Sequence, residues 1–119
     1  MNERSAAAQR LLSADLRTQP VERDGASEPL NTASVVLGGP GAEASSHVAV
    51  TEVGVWEAGP GRDADVEVDE LFLVLAGSGS VTFDDGSTIR LRPGVLVRLY
   101  AGDRTQWSID QRLRKLYLA

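Results

Sequence analysis

"VEVDELFLVLAGSGSV", residues 66–81, sets a run of alternating acids directly against an apolar run. In "LFLVLA" (71–76) neighbouring positions are all apolar, so a strand here has both faces covered rather than one face in water. Period-two alternation places Glu70, Phe72 and Val74 on one side and Leu71, Leu73 and Leu75 on the other. A glutamate in such a strand must reach a cavity or find a partner, because an unpaired buried charge is very costly.

Working outward, residues from 33 onward form short β-branched and apolar runs broken by turn signals. These are "ASVVLG" (33–38), "HVAVTEVGVWE" (47–57), "VEVDELFLVLAG" (66–77), "SVTF" (80–83), "STIRLR" (87–92), "VLVRLY" (95–100), "TQWSI" (105–109) and "RLRKLYL" (112–118). Short strands with few helix-length gaps predict an all-β sandwich or small barrel. "DDG" at 84–86, "RPG" at 92–94 and "AGD" at 101–103 put Gly and Pro where the chain must reverse. "GGPGAEASS" (38–46) and "AGPGRDAD" (58–65) read as longer loops at one end of the barrel. Residues 1–31 carry no long apolar stripe and divide from the barrel of 32–119 as a loosely structured arm, a short helix begun near Asn2 or Ser5, or a strap.

Composition narrows the function. A chain of 119 residues makes one domain, and 42% hydrophobic with 24% charged residues is ordinary for a globular protein. A net charge of −5 and a pI near 4.8 leave no basic field to hold nucleic acid. The basic residues of "DQRLRKLYLA" (110–119) alternate with apolar ones, as on a strand with one wet face. With no cysteine, neither a disulfide scaffold nor a thiolate site is available. No apolar run approaches the roughly 20 residues of a membrane span and no secretory signal opens the chain, so a cytoplasmic setting without a membrane partner is the default.

Several motifs carry a resemblance. The stretches "GVWEAGPG" (54–61), "DELFLVLAG" (69–77), "DDGSTIRLRPG" (84–94), "YAGDRTQW" (100–107) and "LRKLYL" (113–118) resemble, in order and spacing, the small single-domain cupins related to ureidoglycine aminohydrolase and the ethanolamine-utilisation cupin. The resemblance covers about residues 50–118 and implies a cupin jelly-roll barrel, commonly a homodimer, with a pocket for a small-molecule ligand. It also implies that Glu70 points inward, with Gly77 completing the E-x6-G spacing of the first motif.

The metal ligands of that family are not matched. The paired histidine positions fall on Ala64 and Val66, or with one more residue of spacing on Asp63 and Asp65, and the third falls on Thr105. The single histidine, His47, matches no ligand place. Asp63, Asp65 and Glu70 together form a D-x-D-x4-E set, an all-oxygen site for Mg, Mn or Ca or else a solvated acidic loop.

The reading is therefore a metal-free, cofactor-free pocket. Glu70 or Glu57 moves a proton, and Lys115 and Tyr117, placed by the family pattern at the end of the last strand, complete the candidate catalytic set. Trp107, Thr105, Trp56 and Phe72 line the substrate side. The expected substrate is a small polar metabolite, with nitrogen in it if the resemblance extends so far. A non-catalytic ligand-binding or regulatory cupin and a carboxylate-bound divalent-metal enzyme are the alternatives.

Overall fold

The computed structural model describes residues 5, 8, 11–25, 29–38 and 52–119. Eight strands follow in order: β1 (Glu22–Arg23), β2 (Ala33–Gly38), β3 (Val53–Ala58), β4 (Gly61–Val66), β5 (Glu70–Phe83), β6 (Thr88–Leu91), β7 (Leu96–Leu99) and β8 (Arg104–Leu118). All pairings are antiparallel.

Two long strands organise the molecule. β5 and β8 pair with each other along their length, and each serves two partners in succession. The first part of β5, 70–73, pairs with β7, and its last part, 79–82, pairs with β6. The last part of β8, 113–118, pairs with β3, and its first part, 104–109, pairs with β4. One half of the structure is thus β1-β2-β3-β8-β5-β7 and the other β4-β8-β5-β6, joined through the two shared strands. This is the jelly-roll arrangement, and it fits the expected all-β cupin barrel.

The bend has a residue-level cause. The β5–β8 register shifts between Val74 and Ala76, between Ala76 and Ser78, and between Ser78 and Gly79. Gly77 sits inside this irregular stretch with φ of 86°, and a Cβ there would lie 2.1 Å from the carbonyl oxygen of Arg112. Only glycine combines that backbone angle with so close an approach of two strands.

The inner faces of the halves meet in one core. Phe72, Leu91, Leu99, Leu113, Val74 and Val81 are fully buried there. Each contributes on the order of 1.5–3 kcal/mol from apolar area removed from water. The outer side of β5 differs: Leu71, Leu73 and Leu75 are half-buried, and nearby Leu96 on β7 is 68% exposed.

Some sequence expectations need correction. "GRDADV" is not loop but strand β4, paired residue for residue with Ile109 through Arg104. Hydrogen bonding to β8 supplied the strand that its polar, acidic composition concealed. From Glu70 onward the run at 66–77 continues into that at 80–83 as one strand, Val66 belonging instead to β4, and the runs at 105–109 and 112–118 are likewise one strand, because a bulged strand keeps pairing through its bend. Of the short helix expected to begin at Asn2 or Ser5, only Ser5 and Ala8 are described, Ala8 helical and its N donating to Ser5 Oγ at 3.1 Å, while Asn2, His47 and most of the 38–46 loop lie outside the described residues. Residues 11–25 run along the barrel without a helix, turning at 16–18 before β1.

Candidate functional site

Ladder register decides which side chains face the interior together. Trp56 on β3 stands opposite Lys115 on β8, and Lys115 stands opposite Val74 on β5. Asp63 stands opposite Trp107, and Asp65 opposite Thr105. Directly opposed residues share a face, so Trp56, Lys115, Trp107 and the two aspartates all point inward. They border a cavity of ≈ 300 Å³, which also includes Glu67, Glu70, Tyr117 and, from the N-terminal side, Leu30, Thr32 and Ser34.

At its centre is an ion pair in an aromatic setting. Lys115 Nζ lies 2.6 Å from Glu70 Oε2, and the two side chains are only 7% and 12% exposed. The ammonium also lies 4.7 Å from the ring centre of Trp56, 4.5 Å from Phe72 and 5.1 Å from Trp107. The rings themselves pack tilted, Trp56 against Trp107 at 5.8 Å and Phe72 against Trp107 at 5.6 Å. Aromatic faces attract a cation, and desolvation strengthens that attraction to ~2 kcal/mol or more. Burial of the charge is therefore offset from two directions, by a carboxylate and by three rings.

Beside it lies a second carboxylate that sequence reasoning missed. Glu67 is buried, and its Oε2 accepts hydrogen bonds from Thr105 Oγ1 at 2.6 Å and Trp107 Nε1 at 3.0 Å. A signal was present as far as Glu67: Asp63, Asp65 and Glu67 alternate at period two, so one inward aspartate predicts an inward Glu67, and the alternation ends there, with Asp69 exposed and paired with Arg98. Its backbone is held by bonds to the 100–103 turn, from Glu67 N to Asp103 O and from Gly102 N to Glu67 O.

Tyr117 donates its hydroxyl proton to Glu52 Oε2 at 2.5 Å. Burial, and next the Glu52 carboxylate, push its ionisation well above the ordinary tyrosine value. Tyr117 is thus a neutral donor rather than a base. Gly54 leaves room for it, since a Cβ at that position would lie 2.6 Å from the Tyr117 hydroxyl.

The structure brings together Glu70, Lys115, Tyr117, Trp107 and Trp56 around the cavity. Thr105 and Phe72 sit one layer deeper, Thr105 bonded to Glu67 and Phe72 beneath the Lys115 ammonium. Glu57 is elsewhere. Adjacent to Trp56 on β3, it faces away from the cavity and accepts hydrogen bonds from Arg112 Nε at 2.7 Å and Arg114 Nε at 2.6 Å. Burial raises its carboxyl, but the two guanidiniums overcome that and hold it below the usual glutamate value. Arg114 also donates to the carbonyls of Leu16 and Gln19, and Arg112 to that of Asn31, so Glu57 anchors the N-terminal segment to the barrel.

The family's metal positions fit poorly. Asp63 and Asp65 do face inward, but Glu70 is taken by Lys115 and Thr105 by Glu67. Among the described residues no three His, Cys, Asp or Glu side chains converge closely enough to hold a metal ion.

A two-part jelly roll joined by bent strands, with a cavity between its halves, defines a cupin. The chain belongs to the family described as the EutQ-like cupin domain, whose family model matches residues 46–117. Among solved structures it is similar to the EutQ protein of Clostridium difficile, with 20% identity over 89% of this chain and 83% of that one and a TM-score of 0.66. It is similar too to a putative ethanolamine utilization protein Q from Salmonella typhimurium LT2, with 19% identity over 83% and 76% of the two chains and a TM-score of 0.64. Ectoine synthase from P. lautus shares the fold at 13% identity, over 73% of this chain and 62% of that one, with a TM-score of 0.61. A search of curated proteins finds no match. Among the described residues no helix is long and apolar enough to cross a membrane.

Proposed function

We propose that the cavity binds a small polar organic molecule and that Glu70, poised by Lys115, transfers a proton to or from it. The observation that carries this reading is the Glu70–Lys115 pair, 2.6 Å apart, largely withdrawn from water and opening on the ≈ 300 Å³ cavity. A carboxylate held by one ammonium in an aromatic enclosure can exchange a proton with a bound substrate while Lys115 balances the changing charge. Tyr117 supplies a neutral hydroxyl at the cavity wall, and Trp56 and Trp107 supply flat apolar surface. The reading assigns the chemistry to these side chains and needs neither a metal nor a cofactor. Glu57 has no part in it. The fold is shared by an enzyme, ectoine synthase, and cupin barrels of this shape can host catalysis.

The test is turnover. Mixtures of small nitrogen-containing metabolites are incubated with the protein and followed by proton NMR, for the native chain and for Glu70→Gln. Conversion lost in the variant, with ligand binding retained, supports the reading. Conversion that survives the substitution removes Glu70 from the chemistry. Ligand binding with no conversion by either protein favours a non-catalytic binding module.

A homodimer is the second part of the proposal. The half-buried Leu71 and Leu73 and the exposed Leu96 lie on the outer side of β5 and β7, where a second copy would cover them. Light scattering decides it, and a monomer at micromolar concentration would remove this part.

A further inference from the structure

Resting on the reading of the cavity as a ligand site, we infer that its ligand is a small organic cation, a protonated amine or guanidinium carried on an apolar body. The cavity is bordered by four carboxylates, Asp63, Asp65, Glu67 and Glu70, against one ammonium, that of Lys115, which leaves an excess of three negative charges. Lys115 is already committed to Glu70 and to the three aromatic rings around it. It does not serve the other acids.

Glu67 gives this imbalance its meaning. It is only 8% exposed, its hydrogen-bond partners Thr105 and Trp107 are both neutral, and both bind the same oxygen, Oε2. Among the described residues no cation pairs with it, and its other oxygen accepts no hydrogen bond. The charges on Asp63 and Asp65 have an ordinary explanation, since they sit on the edge strand β4, where charge discourages pairing with another chain. Glu67 has no such explanation. A nearly buried carboxylate without a counter-ion is costly, and a cation arriving in the cavity removes that cost.

Shape and field agree. A cleft with walls of one sign and low polarity focuses its potential and concentrates the opposite charge. An anionic ligand would meet three uncompensated carboxylates. A cation can lie between Glu67 and the inward aspartates, with its apolar portion against Trp107 and Trp56.

The chain has only two tryptophans, both on the cavity, so their indole N–H signals in a nitrogen-15 NMR spectrum report its occupancy directly. The probes are four molecules of one size: butylammonium, butylguanidinium, butanol and butyrate. At least one of the two cations should move the Trp107 signal saturably and bind about tenfold or more tighter than butanol, with no binding of butyrate. The affinity should fall as salt is raised. Glu67→Gln should weaken the cation about tenfold or more, and Asp65→Asn, on the exposed edge strand, gives a second variant that leaves the Thr105–Trp107 network untouched. Butanol or butyrate binding as tightly as the cations would overturn the inference while leaving a ligand site in place. Cation affinity indifferent to both substitutions would overturn it as well. If no probe moves either indole signal, the cation inference fails together with the ligand site it rests on.

Discussion

Replacing Lys115 by methionine keeps the length of the side chain and removes its charge. Glu70 would then be left without its ammonium, in a position where its side chain is now 12% exposed. Breaking a buried pair on one side costs about 3–5 kcal/mol, because the remaining charge is stranded. Loss of the ammonium's attraction to the rings adds to this, up to ~2 kcal/mol. A domain of this size has on the order of 5–15 kcal/mol of total stability, so the variant should fold but unfold at a much lower urea concentration. At roughly 4 °C per kcal/mol the melting temperature should drop by ~12–28 °C. Urea unfolding followed by tryptophan fluorescence is the assay, since both indoles sit against the pair. The companion is Lys115→Met with Glu70→Gln. Removing the stranded charge should restore at least half of the loss, and the double-mutant cycle isolates the coupling. A single-variant cost below ~1 kcal/mol, or a double variant no more stable than Lys115→Met alone, would refute the account of a buried, mutually dependent pair.

Further outcomes follow from particular contacts. Gly77→Ala places a Cβ 2.1 Å from the Arg112 carbonyl oxygen at a φ of 86°, and should cost ~3 kcal/mol or more or prevent folding, read by urea titration beside Gly86→Ala, which shares the positive φ, 85°, but whose added Cβ meets nothing within 4 Å, so that the excess cost at Gly77 isolates the close approach. The Glu57 carboxyl is held below its unfolded value near 4.5, so its contribution is present above that pH and is lost as pH falls through the lower folded value. Glu57→Gln should therefore flatten the fall in stability in that acid window, and Arg114→Ala should speed proteolytic cleavage within 11–25 by releasing the carbonyls of Leu16 and Gln19. Tyr117 should still be protonated at pH 10, the ordinary midpoint, in an ultraviolet titration, and Glu52→Gln should lower its midpoint only partly, since burial is the larger cause.

How much was legible in the sequence varies with how local the cause is. Phe72 and Val74 sharing a face needed only the two-residue period of a strand, and both are indeed in the core. Glu70 inside an apolar run had to have a partner and Lys115 was an available counter-ion, but only the register between β5 and β8 brings the two together. Glu57 carried the same chemical suggestion, yet it stands one residue from Trp56 and so faces the other way. Which face of β3 is inner follows from its pairing with β8, more than fifty residues along the chain, and nothing near Glu57 encodes that. Strand β4 was hidden for a related reason: its residues are exposed and polar, and only the ladder to 104–109 makes them a strand.

By itself the sequence determined an all-β chain, its turns at 84–86, 92–94 and 101–103, and the alternation that sorts side chains into two sets. Those depend on backbone angles and spacing over a few residues. Tertiary structure alone decided which set is inside, that β5 and β8 run unbroken through their bend, and that Glu67 joins Glu70 at the cavity. These depend on the register between distant strands, where a slip of one residue turns every side chain to the opposite face.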